Sequence, residues 1–305
     1  MKITKLFFFL SSILLMACES DNAPKEQWYQ AEDYVFVGDF TTALEGPCVD
    51  KEGNVFFVNP ERNGTIGKVS NKGQFELFID SLPNGSFANG IRMNTNGHLF
   101  LADYVNHNVL LLNPDNKSTQ IYAHEPKMNQ PNDLAIMSNG TLFASDPNWG
   151  DNTGNIWMIK PNKEVILLDS TMGTTNGIEV SPDETKLYVN ESVQRNVWIF
   201  DITEDGISNK RQWIQFDDFG MDGMRCDEKD NLYIARYGKG VVAKVSPKGE
   251  LLEEIKLKGE KPTNIAFGGE DGKTIFVTLQ DRGFIEQFRV PEAGRSFVMK
   301  MKKYE

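Results

Sequence analysis

Asn89-Gly90-Ile91-Arg92-Met93, a turn at Asn94-Thr95-Asn96-Gly97, then His98-Leu99-Phe100-Leu101-Ala102-Asp103 form a unit that recurs along the chain. Its opening returns as Glu45-Gly46-Pro47, Asn132-Asp133, Asn176-Gly177, Asp222-Gly223 and Asn264-Ile265, successive markers lying 44, 43, 44, 46 and 42 residues apart. After each marker come an apolar run, a polar turn and a second run: VFFV, HLFLAD, TLFASD, KLYVNE, NLYIAR and TIFVT. Six copies at a period near 44 indicate an array of small sheets, either a propeller or a solenoid. Nothing at either end resembles a capping repeat, which disfavours the solenoid.

Many second runs are apolar on consecutive residues, as expected of sheets covered on both faces. Further strands complete each unit, for example Thr65–Val69 with Phe75–Phe78 and Val109–Leu112 with Thr119–Tyr122. The expected fold is therefore all-β: a six-bladed β-propeller of four-stranded blades around a central channel. Tyr34–Phe40 precedes the first marker and is expected to supply a strand that closes the ring against the last blade.

Residues 1–17 read as a signal peptide: Lys2 and Lys5 are followed by an apolar core, Leu6–Met16, too short to span a bilayer. Leu15-Met16-Ala17-Cys18 resembles a bacterial lipobox, which makes Cys18 the lipidation site and residues 18–32 a tether to a propeller at 33–305. An ordinary secretory signal is the alternative. The expected location is the bacterial cell envelope, lipid-anchored to a membrane and either periplasmic or surface-exposed. Cleavage leaves 30 basic against 43 acidic residues, a charge near −13 that repels nucleic acid. A monomer is expected. Cys48 and Cys226 sit at different offsets from their markers in blades that are not neighbours, which favours two buried thiols over a disulfide.

If each marker opens an innermost strand at one face, the loop after the second strand lies on that same face. Those loops are polar and aromatic, and they supply Arg62, Trp149 and Tyr237 as candidate substrate contacts around a polar mouth. An indole in such a loop often packs on a ligand, whereas any one of these residues could equally be a solvated turn. The markers are Glu, Asn, Asn, Asn, Asp and Asn, all oxygen donors suited to a hard divalent cation. Calcium comes first, with zinc, manganese or magnesium as substitutes. Asn-Gly and Asp-Gly could simply turn the chain, but Glu45 has no turn preference. His124-Glu125 reads as a loop pair. There is no Gly-x-Ser-x-Gly elbow, His-Glu-x-x-His, P-loop or dinucleotide fingerprint, so hydrolysis would lean on a metal.

Glu45-Gly46-Pro47, Pro131-Asn132-Asp133, Ser145-Asp146-Pro147, Thr175-Asn176-Gly177 and Met221-Asp222-Gly223, in order and at blade spacing, resemble the gluconolactonase, senescence-marker-protein and luciferin-regenerating-enzyme family. The resemblance covers about Glu45 to Asp281. It implies one divalent metal, often calcium, held by Glu45, Asn176 and Asp222, with Asn132 as a further ligand or substrate contact. It also implies opening of sugar-type or other small lactones, with Asp222 orienting or activating water and Glu45 mainly holding charge on the metal. Many sugar-lactone members carry a basic residue two places before the third-blade asparagine. Gln130 stands there instead, so a sugar would be gripped differently. Two other readings stand beside the lactonase: a non-catalytic propeller that binds a ligand or partner, and a calcium-dependent phosphoester or organophosphate hydrolase.

Overall fold

In the computed structural model, which describes residues 27–301, six four-stranded antiparallel sheets surround a central axis. Their innermost strands are Glu45–Val49, Ala88–Met93, Leu134–Ile136, Thr175–Val180, Met224–Cys226 and Pro262–Gly268. Each touches the inner strands of the two flanking blades, and the sixth touches the first, so the ring is closed. The outermost strand of the sixth blade is Glu32–Phe36, paired antiparallel with Phe284–Arg289. The N-terminal segment thus closes the ring as expected. Its contacts start before residue 33, because Trp28 already bridges Arg289 and Tyr29 packs on the sixth-blade core. Cys18 and the signal segment lie outside the described residues. No helix among those described is long and apolar enough to cross a membrane.

Consecutive apolar residues fill the spaces between blades because successive side chains of a strand point to opposite faces. Phe56 packs toward the second blade and its neighbour Phe57 toward the sixth. Six such clusters, one per blade interface, make up the core. Cys48 and Cys226 are buried in different interfaces and form no disulfide.

The marker glycines serve close approach more than turning. A Cβ on Gly46, whose φ is +54°, would fall 2.1 Å from the Asn89 carbonyl oxygen. One on Gly177 would fall 2.5 Å from that of Asp222. Inner strands crowd the axis backbone to backbone, and only glycine fits there. Register shifts at Glu45/Cys48, Ala88/Ile91, Thr175/Ile178 and Pro262/Asn264 put a bulge at the marker in four blades. A bulge re-aims side chains, so Asn89 and Arg92, or Asn176 and Glu179, can both reach the axis.

The loops on the marker face are fastened by buried acids at or near the ends of second strands. Asp103 accepts from Ser86, Asn108 and the Phe87 N–H, and Asp146 from Trp157, Asn155 and the N–H groups of Asn129 and Gln130. Two local expectations change as a result. The second run TLFASD extends through Pro147 and Asn148 as the strand Leu142–Asn148, and His124, read with Glu125 as a loop pair, ends the strand Thr119–His124, where its Nδ1 lies 2.8 Å from Asn108 Oδ1.

Candidate active site

A cavity of about 650 Å³ opens on the marker face. Five of the six markers line it: Glu45, Asn89, Asn132, Asn176 and Asp222. Asn264 does not, although all six were expected at the mouth. It lies beneath Glu45, with Oδ1 accepting from the Ile265 N–H at 2.9 Å and Nδ2 3.4 Å from Asp133. Trp149 and Tyr237 line the cavity, and Arg62 and Gln130 do not. The Arg62 guanidinium lies 5.3 Å from the Phe40 ring centre, and the Gln130 N–H is spent on Asp146. Packing on an aromatic ring and fastening a loop account for where those two residues sit.

At the floor, Glu45 is buried and Asp222 half-buried, and their carboxyl groups lie close enough to act on each other. Burial, offset only in part by the Gly46 N–H and aggravated by the Asp133 charge, pushes the Glu45 carboxyl up to about 8. Burial and then the Glu45 charge push Asp222 well above the usual carboxylate range. Two like charges so placed cannot both ionise unless a cation joins them.

The amides beside them are aimed by their own partners. Asn176 Nδ2 donates to Ser192 Oγ at 3.1 Å, and Ser192 in turn donates to the Met221 carbonyl. That leaves Asn176 Oδ1 buried without a partner, and Asn132 Oδ1 is orphaned in the same way. Asn190 Nδ2 donates 2.6 Å to the Asp222 carbonyl and fixes its backbone. Met221 enters the sequence reading only as part of the Met221-Asp222-Gly223 motif, and Ser192 and Asn190 are not singled out there at all. Only their position after a second strand or before a marker could have drawn attention to them.

The donor set fits a hard divalent cation. It offers two carboxylates that repel each other in the absence of positive charge and two buried amide oxygens with no hydrogen-bond donor. Among the described residues no three His, Cys, Asp or Glu side chains cluster as a metal site. That count leaves out amide oxygens, which are half of this set.

Below the floor the axis is ionic. Asp133 takes Arg92 Nη1 at 2.9 Å, Arg92 Nη2 at 3.0 Å and Arg225 Nη1 at 3.2 Å. Burial raises the Asp133 carboxyl, but the two guanidiniums outweigh it and hold the group below its ordinary range. Next comes Glu179, and Arg295 from the C-terminal helix Arg295–Met301 seals the far end, 3.5 Å from Glu179 and 2.8 Å from Glu184. Signs thus alternate down the channel.

Glu45 sets the pH response of cation-free protein. Its carboxyl, ordinarily near 4.5, titrates near 8 when folded, so the folded state binds more protons between those values and stability falls as pH rises through them. Chelated protein is expected to lose roughly 5 °C or more of Tm between pH 5 and 8. Scanning calorimetry checks this, and either a saturating divalent cation or Glu45→Gln should flatten that slope.

Residues 45–281 match the model of the SMP-30/Gluconolactonase/LRE-like region. The chain belongs to this family. The gluconolactonase of Zymomonas mobilis subsp. mobilis is 26% identical over 270 residues, covering 77% of this chain and 75% of that enzyme. The diisopropyl-fluorophosphatase of Loligo vulgaris is 26% identical over 289 residues, 82% of this chain and 90% of that one. Among solved structures, a regucalcin from Agrobacterium tumefaciens described as a calcium-binding protein superposes with a TM-score of 0.73 at 19% identity, covering 83% of this chain and 92% of that one. Glu45 opens the matched region, and Asn132, Asn176 and Asp222 fall within it.

Proposed function

We propose that this SMP-30/gluconolactonase/LRE-like propeller is a hydrolase that opens a small lactone with the help of one divalent cation, calcium first among the candidates. The observation that carries the reading is the pairing of the buried Glu45 carboxyl with the half-buried Asp222 carboxyl beside orphaned oxygens of Asn132 and Asn176 at the floor of one open cavity. A bound cation would polarise the lactone carbonyl and favour ionisation of water. Glu45 contributes charge at the floor and is held from below by Asn264. Asp222, its backbone fixed by Asn190, orients the attacking water or takes its proton; position compensates for a carboxylate's low basicity. Asn132 and Asn176 present oxygens that no protein donor competes for. Trp149 and Tyr237 hold the substrate body at the walls.

A second reading keeps the site and changes the ester to an organophosphate. It is favoured by the likeness to the squid diisopropyl-fluorophosphatase along 90% of that enzyme. As a further part of the proposal, Cys18 carries a lipid that tethers the protein in a bacterial envelope.

Protein lacking residues 1–18 should release acid from at least one member of a panel of lactones and phosphotriesters, and chelator should abolish that release. Turnover indifferent to chelation would reject the cation-assisted mechanism. No turnover across the panel would leave a binding propeller.

A further inference from the structure

The walls of the cavity differ chemically from its floor. Phe87, Tyr104, Trp149, Val193, Phe219 and Tyr237 line them, drawn from loops of several blades. Phe219 and Val193 are 50% exposed and Trp149 is 37% exposed, so large apolar groups face solvent in a ring around the opening. A cluster of this kind on a soluble surface marks a place where apolar matter binds.

Several polar groups of these walls are engaged with one another. Tyr104 is hydrogen-bonded to Trp149, and the Tyr237 hydroxyl donates to Gln280 at 3.2 Å. Phe87 packs edge-on against Tyr104, their ring centres 5.7 Å apart. Apart from Glu45 and Asp222, the one charged side chain lining the cavity is Arg195; its Nη1 donates to the Asp217 carbonyl at 2.9 Å and its Nε has no partner. Asn89 Nδ2 is spent on the Asn132 carbonyl at 3.2 Å.

A sugar lactone carries a hydroxyl on nearly every ring carbon, and each must replace its water on entering. Walls built mainly of rings, with few donors among them, leave most of those hydroxyls unpaired, and that is costly. An aryl or alkyl body loses nothing there and gains burial and ring stacking.

We infer that the preferred substrate is a lactone bearing an apolar aryl or alkyl body, not a polyhydroxylated sugar lactone. The inference rests on the hydrolase reading for its chemistry and on the walls for its specificity, and the experiment has one arm for each. In the kinetic arm, kcat/KM for dihydrocoumarin, corrected for spontaneous opening, should exceed that for glucono-1,5-lactone by at least about tenfold. Trp149→Ala and Phe219→Ser should bring the ratio toward parity.

The binding arm needs no turnover: calorimetric titration with 3,4-dihydroquinolin-2-one, the lactam analogue of dihydrocoumarin, against gluconolactam. The apolar lactam should bind at least about tenfold more tightly. If no lactone is opened, the hydrolase reading falls and this arm alone decides the inference. Preference for the sugar compound in either arm, or equal or undetectable binding of both lactams, overturns it.

Discussion

Asp222→Asn is expected to lower lactone kcat/KM by roughly a thousandfold, about 4 kcal/mol of transition-state stabilisation, while raising the Tm of cation-free protein. The first effect follows from losing both a charge that holds the cation and the group placed to act on water. The second follows from the floor. With one carboxyl made neutral, Glu45 no longer faces a like charge in a site from which water is largely excluded. Asparagine keeps the shape, and the Asn190 bond to the residue-222 carbonyl is a main-chain contact that survives the change. Opposite signs in activity and stability separate loss of chemistry from damage to the fold. Initial rates and calorimetry on the same preparation test both, and turnover within about threefold of the parent would remove Asp222 from the mechanism.

Asp133→Ala should be the most damaging change to the scaffold. The carboxylate sits 1% exposed between two arginines that are themselves buried, and its Oδ1 also accepts from the Leu134 N–H at 2.8 Å. Removing it leaves Arg92 and Arg225 facing each other without an intervening negative charge. Stranding buried charge in this way typically costs about 3–5 kcal/mol, far more than the intact pair is worth. For a chain of this size that corresponds to a Tm fall of roughly 10 °C. Urea unfolding monitored by tryptophan fluorescence measures it. A loss below about 1 kcal/mol would mean that water or an ion takes over the role of the carboxylate.

The blades were legible because a period near 44 survives any local ambiguity between strand and loop, and because Phe56-Phe57 and its counterparts need cover on both faces. Glu45 stood out because glutamate has no reason to open a turn, and the structure buries it at the cavity floor. Depth along the axis was not legible. Asn264 has the same spacing as the other markers, yet it drops below the floor to meet Asp133, because spacing along a chain does not report how far a strand slides toward the channel. The ionic axis was missed although a signal existed: Arg92, Glu179 and Arg225 each lie three residues after a marker, as single charges inside otherwise apolar inner strands. An unbulged strand would set marker and charge on opposite faces. The register shift that reconciles them in the second and fourth blades appears only when partner strands are seen together. Arg62 and Gln130 fail to reach the cavity for a similar reason: a loop's composition does not tell which of its atoms its own fastenings consume.

The strand that completes the sixth blade also fixes which way the molecule points. Glu32 pairs with Gln287 and Phe36 with Phe284, and Phe284 follows the loop whose Gln280 lines the cavity. The chain therefore enters at the sealed end, beside Arg289, and climbs toward the opening before the first marker. Held by that end, whether on a bilayer or on a sensor chip, the molecule would stand like a cup on its base with its brim toward the surrounding fluid. Solutes could then reach the brim without passing the support.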